Sequence, residues 1–217
     1  MDSRPDEQLR QASVRLRLRG GTVTGAPGGP SSDWTVRPLR WDDFEDLVSI
    51  YYAAYAERDR GVPIGITLFG SRPSRSDEVE WFSGLYRRTL EEQAFVSVAA
   101  VDGRVVGSCT IAPVGGLRQG ETGHVGELGI LVGEPYRGRG VGSALLHHAL
   151  DGAVGRFEQV RLSVFADNDR ARRLYARHGF VPCGHIPRMV KRGDRYGDIE
   201  IMILDLAARS PTPAAKG

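Results

Sequence analysis

From Glu127 to Ser143 the chain reads Glu-Leu-Gly-Ile-Leu-Val-Gly-Glu-Pro-Tyr-Arg-Gly-Arg-Gly-Val-Gly-Ser, an apolar strand and an arginine-glycine turn that open into an apolar helix. That order makes an anion site. The first N–H groups of a helix lack intrahelical partners, and Gly138, Gly140 and Gly142 carry no side chains to keep a phosphate away from them. Two well-known phosphate loops do not fit. A dinucleotide fold needs Gly-x-Gly-x-x-Gly directly after a strand, and a P-loop needs Gly-Lys-Ser/Thr. Here Ser143 and Leu145 stand where the last glycine would be, and no lysine is near. On the glycines alone, a tight turn without a ligand stays open.

The turn must be held by neighbouring elements, and the apolar spacing supplies them. Trp34 to Leu39 reads as a strand. Asp42 or Asp43 can cap a helix with Phe44, Leu47, Val48, Tyr51 and Tyr55 at helical spacing. Gly61 to Arg75 is a long loop, and Asp77 opens a second helix to about Glu92. Ala94 to Val101 and Arg104 to Ala112 are strands joined by the tight-turn pair Asp102-Gly103. His124 to Val132 is the strand before the turn, and Gly142 to about Val154 the helix after it. Val160 to Phe165 is a strand, and Asp169 to His178 a helix ended by Gly179. Phe180 to Pro187 and Asp198 to Leu206 are strands joined by an arginine-rich turn around Lys191 to Tyr196. The order implies an α/β fold with a mixed sheet.

Residues 1–32 combine charge with Gly-Gly and Gly-Pro pairs and read as a flexible arm, residues 207–217 as a disordered tail, and 33–206 as one domain. Apolar residues at 41% and charged residues at 26% are ordinary globular values. No apolar run approaches the ~20 residues that cross a bilayer, so no membrane association is expected. The acidic, polar start does not read as a secretory leader, and Cys109 and Cys183 do not make a disulfide framework; both point to the cytoplasm. A net charge of +2 makes no case for nucleic acid. From Arg137 to Arg177, however, eight arginines face only Asp151, Glu158, Asp167 and Asp169, a bias that suits a polyphosphate ligand.

Arg137-x-x-Gly140-x-Gly142 and, downstream, Asn168-x-x-Ala171-x-x-Leu174-Tyr175-x-x-x-Gly179-Phe180 together resemble the two signatures of the GNAT family of N-acetyltransferases. The likeness runs from Trp34 to Leu206. It implies the GNAT fold, a mostly antiparallel central sheet flanked by helices and splayed between its fourth and fifth strands, here His124 to Val132 and Val160 to Phe165. Acetyl-CoA would be the co-substrate. Its pantetheine would pair with the free backbone of Ile130, Leu131 and Val132, an N–H near Leu131 would face the oxyanion, and Asn168 would hold pantetheine or nearby backbone. Its pyrophosphate would sit on Gly138, Gly140, Val141, Gly142 and Ser143, with Arg137 and Arg139 supplying charge. No metal is implied.

The resemblance further implies direct attack of a primary amine of a small molecule on the thioester. An alkylammonium of pKa ~10 is only about one part in a thousand neutral at pH 7, so a base is useful. Glu127, at the start of the splayed strand, matches a carboxylate of several members, and His124 is the second candidate. Tyr175 matches the acid that faces the departing thiolate. Members that acetylate a ribosomal protein's N-terminus carry a glutamate where Ser163 stands, which argues against that acceptor. Two other readings remain: a non-catalytic acyl-CoA sensor, and a protein or peptide N-acetyltransferase. A homodimer is compatible with either.

Overall fold

The structure is a computed structural model that describes residues 23–25, 34–61, 65–66, 68–115 and 120–207. Its strands are β1 (Val23–Gly25), β2 (Trp34–Pro38), β3 (Phe95–Val101), β4 (Arg104–Pro113), β5 (Val125–Val132), β6 (Gln159–Phe165), β7 (Val181–Arg192) and β8 (Arg195–Asp205). Its helices are α1 (Phe44–Asp59), α2 (Arg75–Leu90), α3 (Val141–Ala153) and α4 (Asp169–Arg177). One mixed sheet runs β1-β2-β3-β4-β5-β6-β8-β7, and only β5 and β6 are parallel. The expectation that the sheet starts at Trp34 is corrected by β1, which pairs with β2 from within the segment read as an arm. The rest of that arm, and the tail beyond residue 207, lie outside the described residues.

Helices cover both faces of the sheet. On one, the α3 side chains Val141, Leu145, Leu146, Ala149 and Leu150, all at 0% exposure, meet Cys109, Ile111, Leu128 and Val160. Burying each leucine there contributes about 1.5–3 kcal/mol. On the other face, α1 and α2 send Leu47, Phe82 and Leu85 against Val96, Val98 and Val105. Coverage of both faces explains why every residue of β3 is buried, with no polar alternation.

Local chemistry sets the ends of these elements. Asp102 and Gly103 both take positive φ, 50° and 78°, the backbone a two-residue hairpin needs. Asp77 does not open α2. It is the third helical residue, and its carboxylate accepts from the Ser74 N–H at 2.8 Å while Ser74 Oγ caps Asp77 N. Asp43 does not cap α1 with its side chain either. It takes the Arg37 guanidinium through two bonds of 2.7 Å and so ties β2 to the helix start. Pro187 does not end β7. The strand runs on to Arg192, with Pro187 accommodated in an irregularity between Ile186 and Val190 on an edge strand, where a missing N–H costs little.

Gly152 sets the approach of α3 to the sheet. A Cβ there would lie 2.3 Å from the Phe95 ring. Gly152→Ala should therefore destabilise the fold by about 1–3 kcal/mol through overpacking, against a helix-propensity gain of at most about 1. Urea denaturation checks this, and a stabilised variant would contradict it.

Candidate active site

β5 and β6 hold register over three pairs only, Val125 with Gln159, Gly126 with Val160 and Glu127 with Arg161. Beyond them β5 stays paired with β4 as far as Val132, so its other edge is open. The direction of its amides follows from two hydrogen bonds. Gly133 N donates to Val106 O at 2.9 Å and Val125 O accepts from Val114 N at 3.0 Å. Because strand amides alternate and the register has no irregularity, the odd-numbered residues serve β4. Leu128, Ile130 and Val132 therefore present N–H groups toward the gap. Leu131 spends its own on β4, which moves the expected oxyanion donor to Ile130 or Val132.

The gap opens into a cleft of about 510 Å³ lined by Ile130, Leu131, Val132, the glycine turn, and Asn168, Leu174 and Tyr175 of the α4 segment. Gly138 and Gly140 take φ of +83° and +86°, which only glycine adopts without strain. Gly140 is the N-cap of α3, and its carbonyl accepts from Ser143 N and Ala144 N. The Val141 and Gly142 N–H groups are left as the unpaired donors of the helix start. Ser143 Oγ lies 2.9 Å from His178 Nε2, joining the start of α3 to the end of α4.

The charges around the turn are not arranged as expected. Arg137 lines the cleft, but its guanidinium grips the Glu57 carboxylate at 2.6 and 3.0 Å, and its Nε donates to Val132 O at 2.7 Å. Glu57 is 3% exposed, so the positive charge of Arg137 is already matched. Arg139 is exposed and outside the cleft lining. Arg170, Arg173 and Arg177 line the cleft instead, with Arg170 Nη2 3.1 Å from where a Cβ on Gly138 would lie. The run of arginines signalled a basic helix; spacings of three and four put these three on one face.

Asn168 caps α4, its Oδ1 accepting from Ala171 N at 3.1 Å. Its Nδ2 comes within 2.5 Å of a Cβ built on Gly65, so that residue has no room for a side chain while the cap holds. Tyr175 is 6% exposed and meets Phe180 edge-on at 5.8 Å. Burial, and secondarily Cys109 nearby, pushes its phenol well above the ordinary tyrosine range, so the hydroxyl keeps its proton. Hydrogen-bond donation suits it better than full proton transfer.

Glu127 stands at the last position where β5 pairs with β6, and its carboxylate meets Arg161 Nη2 at 3.1 Å; the two side chains are 44% and 39% exposed. It is not part of the cleft lining, and His124 is exposed just before β5. Alternation along β5 puts Glu127 on the α1–α2 face, opposite Leu128, which packs with α3 and Tyr175. A group held in the gap would thus have the carboxylate on one side of the sheet and the phenol on the other. Among the described residues no helix is long and apolar enough to cross a membrane.

The chain is similar to known proteins. L-amino acid N-acetyltransferase AaaT of Escherichia coli K12 is 34% identical over 107 residues, 48% of this chain and 64% of that protein. The chain thus spans under two thirds of that relative's length. An uncharacterised N-acetyltransferase of Methanocaldococcus jannaschii, MJ1207, is 30% identical over 166 residues, 73% of this chain and 67% of its own. A phosphinothricin acetyltransferase of Sinorhizobium meliloti, solved in complex with acetyl-CoA, superposes with a TM-score of 0.68 at 21% identity, covering 83% of this chain and 94% of that one. Residues 31–180, from the first long strand through the glycine turn to Phe180, match the model of the acetyltransferase (GNAT) family, and to that family the chain belongs.

Proposed function

We propose that the chain transfers the acetyl group of acetyl-CoA to a primary amine of a small molecule by direct attack on the thioester. The observation that carries this reading is the end of β5–β6 pairing at Glu127 and Arg161, which leaves an open strand edge between a phosphate turn and a buried phenol. Amides of the pantetheine arm pair with the backbone of Ile130 and Val132, as an added strand would. The helix start, with Arg170, Arg173 and Arg177, holds the phosphates. Glu127 takes a proton from the incoming ammonium on the α1–α2 face, so that the neutral amine attacks, and the second proton that the nitrogen loses on becoming an amide passes to water. As the C–N bond forms, an N–H of Ile130 or Val132 faces the oxyanion. When the C–S bond breaks, Tyr175 donates a hydrogen bond to the leaving sulfur, which takes its proton from water. The name of AaaT, an L-amino acid N-acetyltransferase, supports a small acceptor. Two free cysteines, one buried and one exposed, suit a cytoplasmic setting.

Thiol release from acetyl-CoA across a panel of amines tests the reading; tight acetyl-CoA binding with no turnover on any amine or peptide would favour the sensor instead. Tyr175→Phe should lower kcat by about 10- to 100-fold, the worth of one hydrogen bond to a charged group, and leave acetyl-CoA affinity unchanged. Because the folded phenol is shifted upward, its stabilising contribution is complete below the unfolded value of about 10 and is lost only as pH rises beyond it. The wild-type rate should therefore show no decline from phenol ionisation up to pH ~10. An alkaline limb below that, absent in Tyr175→Phe, would contradict the assignment.

A further inference from the structure

One buried carboxylate on the α1–α2 side of the sheet takes no part in the cleft. Glu78 is 3% exposed, and its Oε1 has no hydrogen-bond partner among the described residues. No cation pairs with it there. Asp43 and Glu57, also buried, are each held by an arginine. Burial, then the like charge of Asp77, holds the Glu78 carboxyl above its ordinary pKa. A buried carboxylate without a partner marks a place where a ligand can supply one.

The packing sets Glu78 toward the middle strands. α1 crosses the sheet from Asp46, whose carboxylate accepts from Val105 N of β4 at 2.8 Å, to Glu57, tied through Arg137 to the end of β5. α2 begins beside the middle of α1, where Tyr52 donates to Pro73 O at 3.0 Å, and runs back until Phe82 and Tyr86 meet Trp41. Phe82 packs with β3, so Glu78, one turn earlier on the same stripe, lies nearer β4 and β5. Its neighbour on α1 is Tyr51. The Glu78 charge acts on that phenol, whose hydroxyl lies 3.4 Å from that of Tyr55.

The strands on this side leave room. Thr110 and Gly129 are partners on β4 and β5, and alternation puts both on the α1–α2 face, in the row next to Glu127. Gly129 is exposed, and a Cβ built on it would meet nothing within 4 Å beyond its chain neighbours. Space over Gly129 thus has Glu127 beside it and the Glu78–Tyr51 pair on the helices that cover this face. We infer that the acceptor lies in this space and carries a second cationic group, which Glu78 receives with the Tyr51 hydroxyl while the reacting amine stands at Glu127. Two carboxylates on one face suit two ammonium groups. One ammonium gives up a proton and reacts; the other keeps its charge and becomes the partner that Glu78 lacks. The inference rests on the acetyl-transfer reading.

The test is calorimetry on the full chain saturated with CoA, titrated with terminal diamines of increasing length and, at each length, the amino alcohol that has a hydroxyl in place of one ammonium. At one length or more the diamine should bind about 10- to 100-fold more tightly than its amino alcohol, the range for hydrogen bonds to a charged group. Glu78→Gln should close that gap to within about threefold. Tyr51→Phe should narrow it, and both variants should leave acetyl-CoA affinity unchanged. Gly129→Val, a residue that suits a strand, should weaken diamines and amino alcohols alike, again without effect on acetyl-CoA. Circular dichroism identifies a variant that fails to fold, and the remaining two then carry the comparison. Amino alcohols binding as tightly as diamines at every length, or a diamine preference that survives Glu78→Gln, would overturn the inference. Amine affinity indifferent to Gly129→Val, or no amine binding at all, would overturn it too. A diamine that binds selectively but is never acetylated would remove the transfer reading and leave the cation site standing; acetylation of diamines and amino alcohols at equal kcat/KM would do the reverse.

Discussion

Arg137→Met is expected to destabilise the fold by about 3 kcal/mol, the lower end for breaking a buried ion pair. Glu57, 3% exposed, would be left as a buried carboxylate without its Arg137 partner, whereas Arg137, 26% exposed, would be left unpaired with less harm by loss of Glu57. The guanidinium also holds the Val132 carbonyl at 2.7 Å, so α1, the end of the open strand and the glycine turn share one fastening. Replacing both residues with methionine should recover the fold to within about 1 kcal/mol of wild type, since a buried pair and an apolar pair of similar volume are close in stability. Urea denaturation of the two single variants and the double variant measures this cycle. If Arg137 were instead a phosphate ligand, the single variant would keep its stability and lose acetyl-CoA affinity.

The second large effect is on the rate. Glu127→Gln should lower kcat/KM at pH 7 by about 10²- to 10⁴-fold, the usual range for a positioned base. The deficit should shrink as pH rises toward ~10, because the acceptor then loses its proton to solvent. The variant should fold as well as wild type. The Glu127–Arg161 pair is 44% and 39% exposed, and such pairs contribute little to stability. Its exposure also lets the carboxylate leave Arg161 for an incoming ammonium. A variant with an unchanged rate in pre-steady-state measurement would pass the base role to water or to His124.

Features set by a few adjacent residues were legible in the sequence. Asp102-Gly103 specified a hairpin by the φ angles it permits, Gly179 ended α4 at φ +93°, and the alternating glycines marked a helix start. Both signature segments also meet in one cleft, as their family spacing implies. What escaped depends on partners far apart in the chain. The role of Arg137 is decided by Glu57, 80 residues away, and nothing local distinguishes an arginine that binds phosphate from one that braces a helix. Arg170 reaches Gly138 only because α4 packs beside α3. The Leu131 amide could be assigned only once the β4 register was known. Pro187 reads as a strand breaker unless the strand is known to lie at the edge.

The central claim, that an open β5 edge presents acetyl-CoA to an amine, is tested most directly by mass spectrometry of the folded chain incubated with acetyl-CoA and a panel of small primary amines. The account predicts an N-acetylated amine formed one for one with free CoA. CoA released without acetylated amine, or acetyl-CoA left intact with every amine and peptide, would contradict it.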